Sequence, residues 1–135
     1  MVRASNSILR LGSVTVALRS IVCVNLLAIF VQAIYAGQFL SGMEAPVRFH
    51  EWSAWAILGL TALQLVVSAV YRLMSPGHGL WMALSTVSIL LTEGLQVGTG
   101  YGRFPAVHVP LGVLIFGAVL CQAVWLFRSG ESRQA

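Results

Sequence analysis

Residues 106–127 read AVHVPLGVLIFGAVLCQAVWLF, with no charged residue between Arg103 and Arg128. About 20 mostly apolar residues cross the hydrocarbon core of a bilayer as a helix, so this stretch reads as a membrane span. Working back along the chain, three more such stretches appear at about 20–40, 49–71 and 79–98. They are separated by Ser41-Gly42 with Pro46, by Ser75-Pro76-Gly77, and by the Gly98–Gly102 run with Pro105, all turn punctuation. Pro76 and Pro105 are placed to open the third and fourth helices, because the first helical turn has no use for an N–H.

Composition agrees. The 135 residues are 58% hydrophobic and 9% charged, with a mean hydropathy of +0.86. A water-soluble domain averages about 25% charged residues, so this chain lacks the polar groups to cover a globular surface. The predicted fold class is all-α: one integral-membrane four-helix bundle over residues 1–135. Residues 1–18 form an N-terminal interfacial or frayed segment, and 128–135 a C-terminal tail. The lipid bilayer is the first implied partner. Nucleic acid is excluded as a partner, since the arginines do not cluster with exposed aromatics. The chain has no zinc-ligand spacing, no phosphate-cradling glycine motif and no CxxCH, which leaves a soluble hydrolase or dehydrogenase without machinery.

The eight arginines and four glutamates set an orientation. Arg3, Arg10, Arg19, Arg72, Arg128 and Arg133 flank one side, and Arg48 and Arg103 the other, with Glu44 and Glu51. Positive charge is retained on the cytoplasmic side. Both termini are therefore expected in the cytoplasm of a multi-pass plasma (inner) membrane protein. Trp52, Trp55, Tyr35 and Tyr101 fall at the outer boundary, and Trp81, Tyr71 and Trp125 at the inner one, as aromatic belts do. Cys23 and Cys121 read as small buried hydrophobes.

His50 and His108 stand out against this background. Each follows a proline and opens an apolar run, the second and the fourth, so both imidazoles are expected at similar depth on the outer side. The two hairpins repeat weakly: Gln32, Gly37, Pro46, His50 and Gly59 answer to Gln96, Gly100, Pro105, His108 and Gly117, and in both a glycine follows the histidine by nine residues. Two imidazoles facing each other across a bundle are the ligand set of six-coordinate haem iron. On that reading His50 and His108 are axial ligands of a non-covalent haem b. Arg48 and Arg103 meet its propionates through their bidentate forks. Ala54, Ile57, Gly112 and Ile115, which share the histidine faces by helical spacing, form the pocket walls. The bland reading makes both histidines ordinary interfacial residues. His78 reads as a solvated turn histidine.

Glu93 lies inside the third span with Gln96 three residues on. An intramembrane carboxyl belongs in the bundle interior or a water-filled cavity. It reads either as a proton site or as a partner behind a ligand histidine, Gln96 sharing its network, or as a plain helix–helix contact. Gly94 and Gly98 form a GxxxG pair, a mark of close helix packing.

These residues resemble one half of the heme A synthase-type membrane proteins, and also small bacterial four-helix membrane proteins of unknown function. The resemblance rests on Gln32–Gly37 ending the first helix, Phe49-His50-Glu51 opening the second, and Gln96 with Pro105–His108 leading into the fourth. It covers most of the chain from about Val31. Heme A synthases carry two such bundles and an E-x-x-H-R-type motif in the catalytic half; here there is one bundle and no arginine after His50. The resemblance therefore implies cytochrome b-like haem binding rather than heme A synthesis. Closed bis-histidine ligation favours electron transfer or haem carriage over a complete enzyme, with a quinone or redox partner protein, and a homo-oligomer or larger membrane complex as further partners. Two other readings stand beside it: a non-catalytic accessory or scaffolding subunit, and a small proton-coupled transporter using Glu93.

Overall fold

A computed structural model describes residues 2–43 and 45–131, with side-chain surroundings for 10–43 and 45–129. Arg3, Glu44 and Arg133, which entered the charge count, and the tail beyond residue 131 lie outside those described side chains. Four helices follow one another: α1 (Val2–Leu40), α2 (Pro46–Met74), α3 (Pro76–Tyr101) and α4 (Pro105–Glu131). No strand occurs among the described residues. All four helices are long and apolar enough to cross a membrane.

The helices outrun the spans expected from hydropathy. Residues 2–18 belong to α1, and Leu18 is wholly buried, so the expected frayed segment is continuous helix where described. Prolines open α2, α3 and α4, each adding up to a turn ahead of the apolar run.

Short connections make the helices alternate in direction. α1 packs on α2 and α4, α3 packs on the same two, and α2 and α4 lie diagonally opposite. The α1 end is closed by a Schellman turn: Met43 N–H donates to Gln38 O and Gly42 N–H to Phe39 O, with Gly42 at φ +89°. Glycine is favoured at that left-handed position because it has no Cβ to clash. The α3 end repeats the motif, with Phe104 N–H on Thr99 O and Arg103 N–H on Gly100 O, but Arg103 holds the left-handed position at φ 57°. Between α2 and α3 there is only Ser75, at φ −143°, whose N–H caps Tyr71 O. At this same end Arg19 donates to Leu126 O at 2.9 Å and lies over the Phe127 ring, a cation on the carbonyl-rich end of α4.

The interior is unusually polar. Leu18, Val22, Ile57, Met82, Ile89, Ile115, Val119 and Leu126 are buried, but so are Asn25, Thr61, Gln64, Ser68, Thr86, Glu93 and Gln122. The outward faces are apolar: Leu27, Val66, Leu91 and Val113 are all exposed, as a lipid solvent permits. Two expectations fail here. Cys23 and Cys121 are free and exposed on that apolar outside, not buried. A Cβ at Gly94 or Gly98 would meet nothing within 4 Å; the pair points out of the bundle, so it does not bring α3 close to a neighbouring helix of this chain.

Candidate functional site

The starts of α2 and α4 bring the two histidines together. Their ring centroids are 6.0 Å apart with planes at 59°. His50 Nδ1 lies 3.2 Å from Gln32 O, and His108 Nδ1 lies 2.9 Å from Gln96 O. A carbonyl oxygen only accepts, so each Nδ1 carries the proton. In a neutral ring that leaves the lone pair on Nε2. Neither Nε2 has a hydrogen-bond partner among the described residues.

Each carbonyl comes from the last turns of the helix preceding its histidine in the hairpin. The weak sequence repeat thus has a physical content: Gln32 serves His50 as Gln96 serves His108. Gly100 lets the second histidine sit close, since a Cβ there would lie 3.0 Å from His108 Cε1.

A cavity of about 890 Å³ opens beside the pair. Such a volume lies within the range of small-molecule and cofactor sites. His50, His108, Ala54, Trp55, Val97, Phe104 and the α1 end at Phe39 and Leu40 line it, with Glu51, Tyr101 and Arg103 supplying its polar groups. Tyr101 Oη donates to Glu51 Oε1 at 2.6 Å and accepts from Trp55 Nε1 at 3.2 Å, tying α2 to the end of α3 across the cavity mouth.

Of the expected pocket residues, Ala54 and Arg103 line the cavity. Ile57, Gly112, Ile115 and Arg48 do not. Ile57 and Ile115 are buried core side chains. Gly112 faces the Gln96 side chain, its position for a Cβ lying 3.1 Å from Nε2. Arg48 is exposed. For Ile57, Gly112 and Ile115 the reason is common: face-counting from each histidine runs straight down the bundle, whereas the cavity opens sideways toward the helix ends.

Glu93 is buried, and Thr61 Oγ1 donates to its Oε1 at 2.9 Å. Gln96 makes no hydrogen bond to it among the described residues. Instead Gln96 meets His108 through its backbone carbonyl, so the contact is made by main chain rather than side chain. Sequence reasoning missed the rest of the interior network. Asn25 Nδ2 donates to Thr61 Oγ1, and Gln64 Nε2 donates to Thr86 Oγ1 and Gln122 Oε1. Gln122 Nε2 donates in turn to Ser85 Oγ and Thr86 Oγ1. Thr61, Gln64 and Ser68 on α2, and Thr86 and Glu93 on α3, recur at three, four and seven residues; that spacing in an apolar run was the available signal.

Among the described residues there is no group of three or more His, Cys, Asp or Glu able to hold a bare metal ion. The donor set is two imidazoles. Their ring centroids stand 6.0 Å apart. The residues present would suit a haem iron in these two imidazoles with free Nε2 atoms and in the adjoining, mostly apolar cavity with one arginine at its rim. No family model matches this chain, nor does any curated protein or solved structure.

Proposed function

We propose that this chain is a b-type haem-binding four-helix membrane protein that carries electrons or haem, with His50 and His108 as the axial ligands. The observation that carries the reading is the paired arrangement just described: each Nδ1 held by a main-chain carbonyl, each Nε2 free, and the ring centroids 6.0 Å apart. The likeness to one half of a heme A synthase-type protein supports it. Bound haem would supply a one-electron couple with both axial positions filled.

The protein's part is orientation and electrostatics. The Gln32 and Gln96 carbonyls fix both tautomers and ring directions. Phe39, Leu40, Val97 and Phe104 give the cavity apolar walls. Arg103 is the arginine placed for a propionate. The finer topology rests on charge: Arg10, Arg19, Arg72 and Arg128 lie at the end carrying the termini, which supports a cytoplasmic location for that end and an outer location for the histidines in the plasma membrane.

The test is the optical spectrum of purified protein supplemented with haem. A low-spin Soret band with sharp α and β bands is expected in one-to-one stoichiometry; a high-spin or free-haem spectrum sinks the reading.

Arg103 offers a second check. A non-glycine residue in the left-handed region costs roughly 1 kcal/mol, and Gly42 fills the same place in the first hairpin. Arg103→Gly is therefore expected to stabilise the haem-free bundle by about 0.5–1 kcal/mol, while haem affinity falls about tenfold, a loss typical of a charge-assisted contact. Thermal unfolding of the haem-free protein and haem titration read the two effects separately.

A further inference from the structure

The buried network has an excess of acceptors, and the excess is all at one end. Asn25 Oδ1, Gln32 Oε1, Glu93 Oε2 and Gln96 Oε1 are buried oxygens with no hydrogen-bond partner among the described residues. Asn25 and Glu93 are at least nine-tenths buried. All four belong to α1 or α3, between the floor of the histidine cavity and the middle of the bundle. Gln96 lies one turn from Glu93 toward the cavity, about 4.5 Å along the axis. Gln32 lies two turns from Asn25 in the same direction, about 10 Å.

Past Asn25, away from the cavity, the pattern reverses. Both amide hydrogens of Gln64 are used, on Thr86 and Gln122, and both of Gln122, on Ser85 and Thr86. The Gln64 and Gln122 oxygens accept as well. Beyond them Leu18, Met82, Leu126 and Tyr71, all at most 2% exposed, close the bundle. The ladder is thus saturated and then closed by packed side chains, of which Tyr71 alone carries a hydroxyl.

Among the described residues Glu93 also has no counter-charge. From α2 it meets Thr61, which in turn meets Asn25 of α1. The buried residues of α4 at this depth are Ile115 and Val119. The titratable groups of the interior are His50 and His108 toward the cavity and Tyr71 at the far end; Arg19 is engaged on Leu126 O. An isolated carboxylate in a low-dielectric interior is unfavourable and takes up a positive charge. Among the described residues Thr61 Oγ1 is the one oxygen placed on the Glu93 carboxyl, far short of the six or more ligands a hard metal cation takes. A proton needs one.

We propose that Glu93 is a reversible proton-binding site that exchanges with the histidine cavity past Gln96 and Gln32, and is closed toward the end carrying the termini. A proton on Oε2 turns one stranded acceptor into a donor, and water entering from the cavity supplies donors to the other three. The O–H bond formed at Oε2 is matched by one broken on a hydronium arriving from the cavity, which leaves as water; no oxidant or reductant is involved. The inference does not depend on haem and is read on protein with none added.

The experiment is infrared spectroscopy of the reconstituted protein at neutral pH, with glutamate carboxyl carbons labelled by carbon-13. The wild type should show a protonated-acid carbonyl band that shifts with the label and disappears in Glu93→Gln. The labelled wild type alone settles the protonation state if that variant fails to fold. On transfer to D2O the band should shift, at least tenfold more slowly in Gln96→Leu and at the wild-type rate in Thr86→Val. Absence of a labelled acid band overturns the proposal. So does exchange slowed by Thr86→Val but not by Gln96→Leu, which would place the entrance at the other end, and so does exchange that neither variant alters.

Discussion

Alanine at position 50 or 108 is expected to abolish the low-spin haem spectrum, with the double variant retaining no stoichiometric haem. Removing one imidazole leaves the other Nε2 as the sole protein ligand, so a single variant should give a high-spin, five-coordinate spectrum and lose affinity by about 100-fold or more, at or beyond the upper end of what loss of a supporting partner costs a metal site. His108→Ala should be the more damaging, because His108 has the shorter bond to its carbonyl, 2.9 against 3.2 Å, and is the better oriented of the two. The haem-free fold should hardly notice. Both rings are only partly buried, and the hydrogen bond each loses contributes about 1 kcal/mol net. Added free imidazole should restore the low-spin band in either single variant by filling the vacated position. Haem titration with optical detection, beside thermal unfolding of the haem-free protein, separates ligation from folding. Retention of a low-spin spectrum in the double variant would remove the basis for the haem reading.

The histidine pair was legible in the sequence because it needs only two facts that hydropathy supplies: helix order and depth. Runs two and four start at the same end of an alternating bundle, so residues early in each must fall together there. The supporting groups were not legible. The carbonyls of Gln32 and Gln96 are main chain, and no side-chain motif announces them; only the repeated glutamine positions marked the place. Ile57, Gly112 and Ile115 were misplaced as cavity walls because helical periodicity tells which face a residue is on but not how far down that face a cavity extends. Arg48 and Arg103 look equivalent as rim charges. Backbone conformation separates them: Arg48 lies in the first turn of α2 and stays outside, while Arg103 sits in a left-handed turn that sets it at the cavity. The polar ladder was half visible, since Thr61 and Gln64 follow His50 along one face, but its partners Asn25, Thr86 and Gln122 come from three other helices. A GxxxG pattern, finally, marks a smooth helix face without saying which way it points, and Gly94 and Gly98 point away from the bundle.

The glycine on which the fold does depend is one that no motif flags. Ser75 is the whole connection between α2 and α3, so the first turn of α3 must rise directly beside the last turns of α2. Gly79 is the contact point: a Cβ there would collide with the Cα and N of Arg72. These are backbone atoms of a helix, which cannot rotate aside as a side-chain tip can, and Gly79 N–H is itself held by Ser75 O at 2.7 Å. Gly79→Ala is therefore expected to destabilise the protein by about 3 kcal/mol or more, at or above the upper range for overpacking a tight interior, even though alanine is the better helix former by about 1 kcal/mol. Gly94→Ala and Gly98→Ala, where the added methyl meets open space, should show the opposite sign, gaining up to that propensity difference. Unfolding in mixed micelles measures all three. The comparison is informative because local helix propensity predicts the same gain at each position, and only the close approach of two helix backbones separates the first from the others. Since Gly79 lies at the opposite end from His50 and His108, whatever Gly79→Ala protein still folds should bind haem with the wild-type spectrum, its defect confined to the fraction folded.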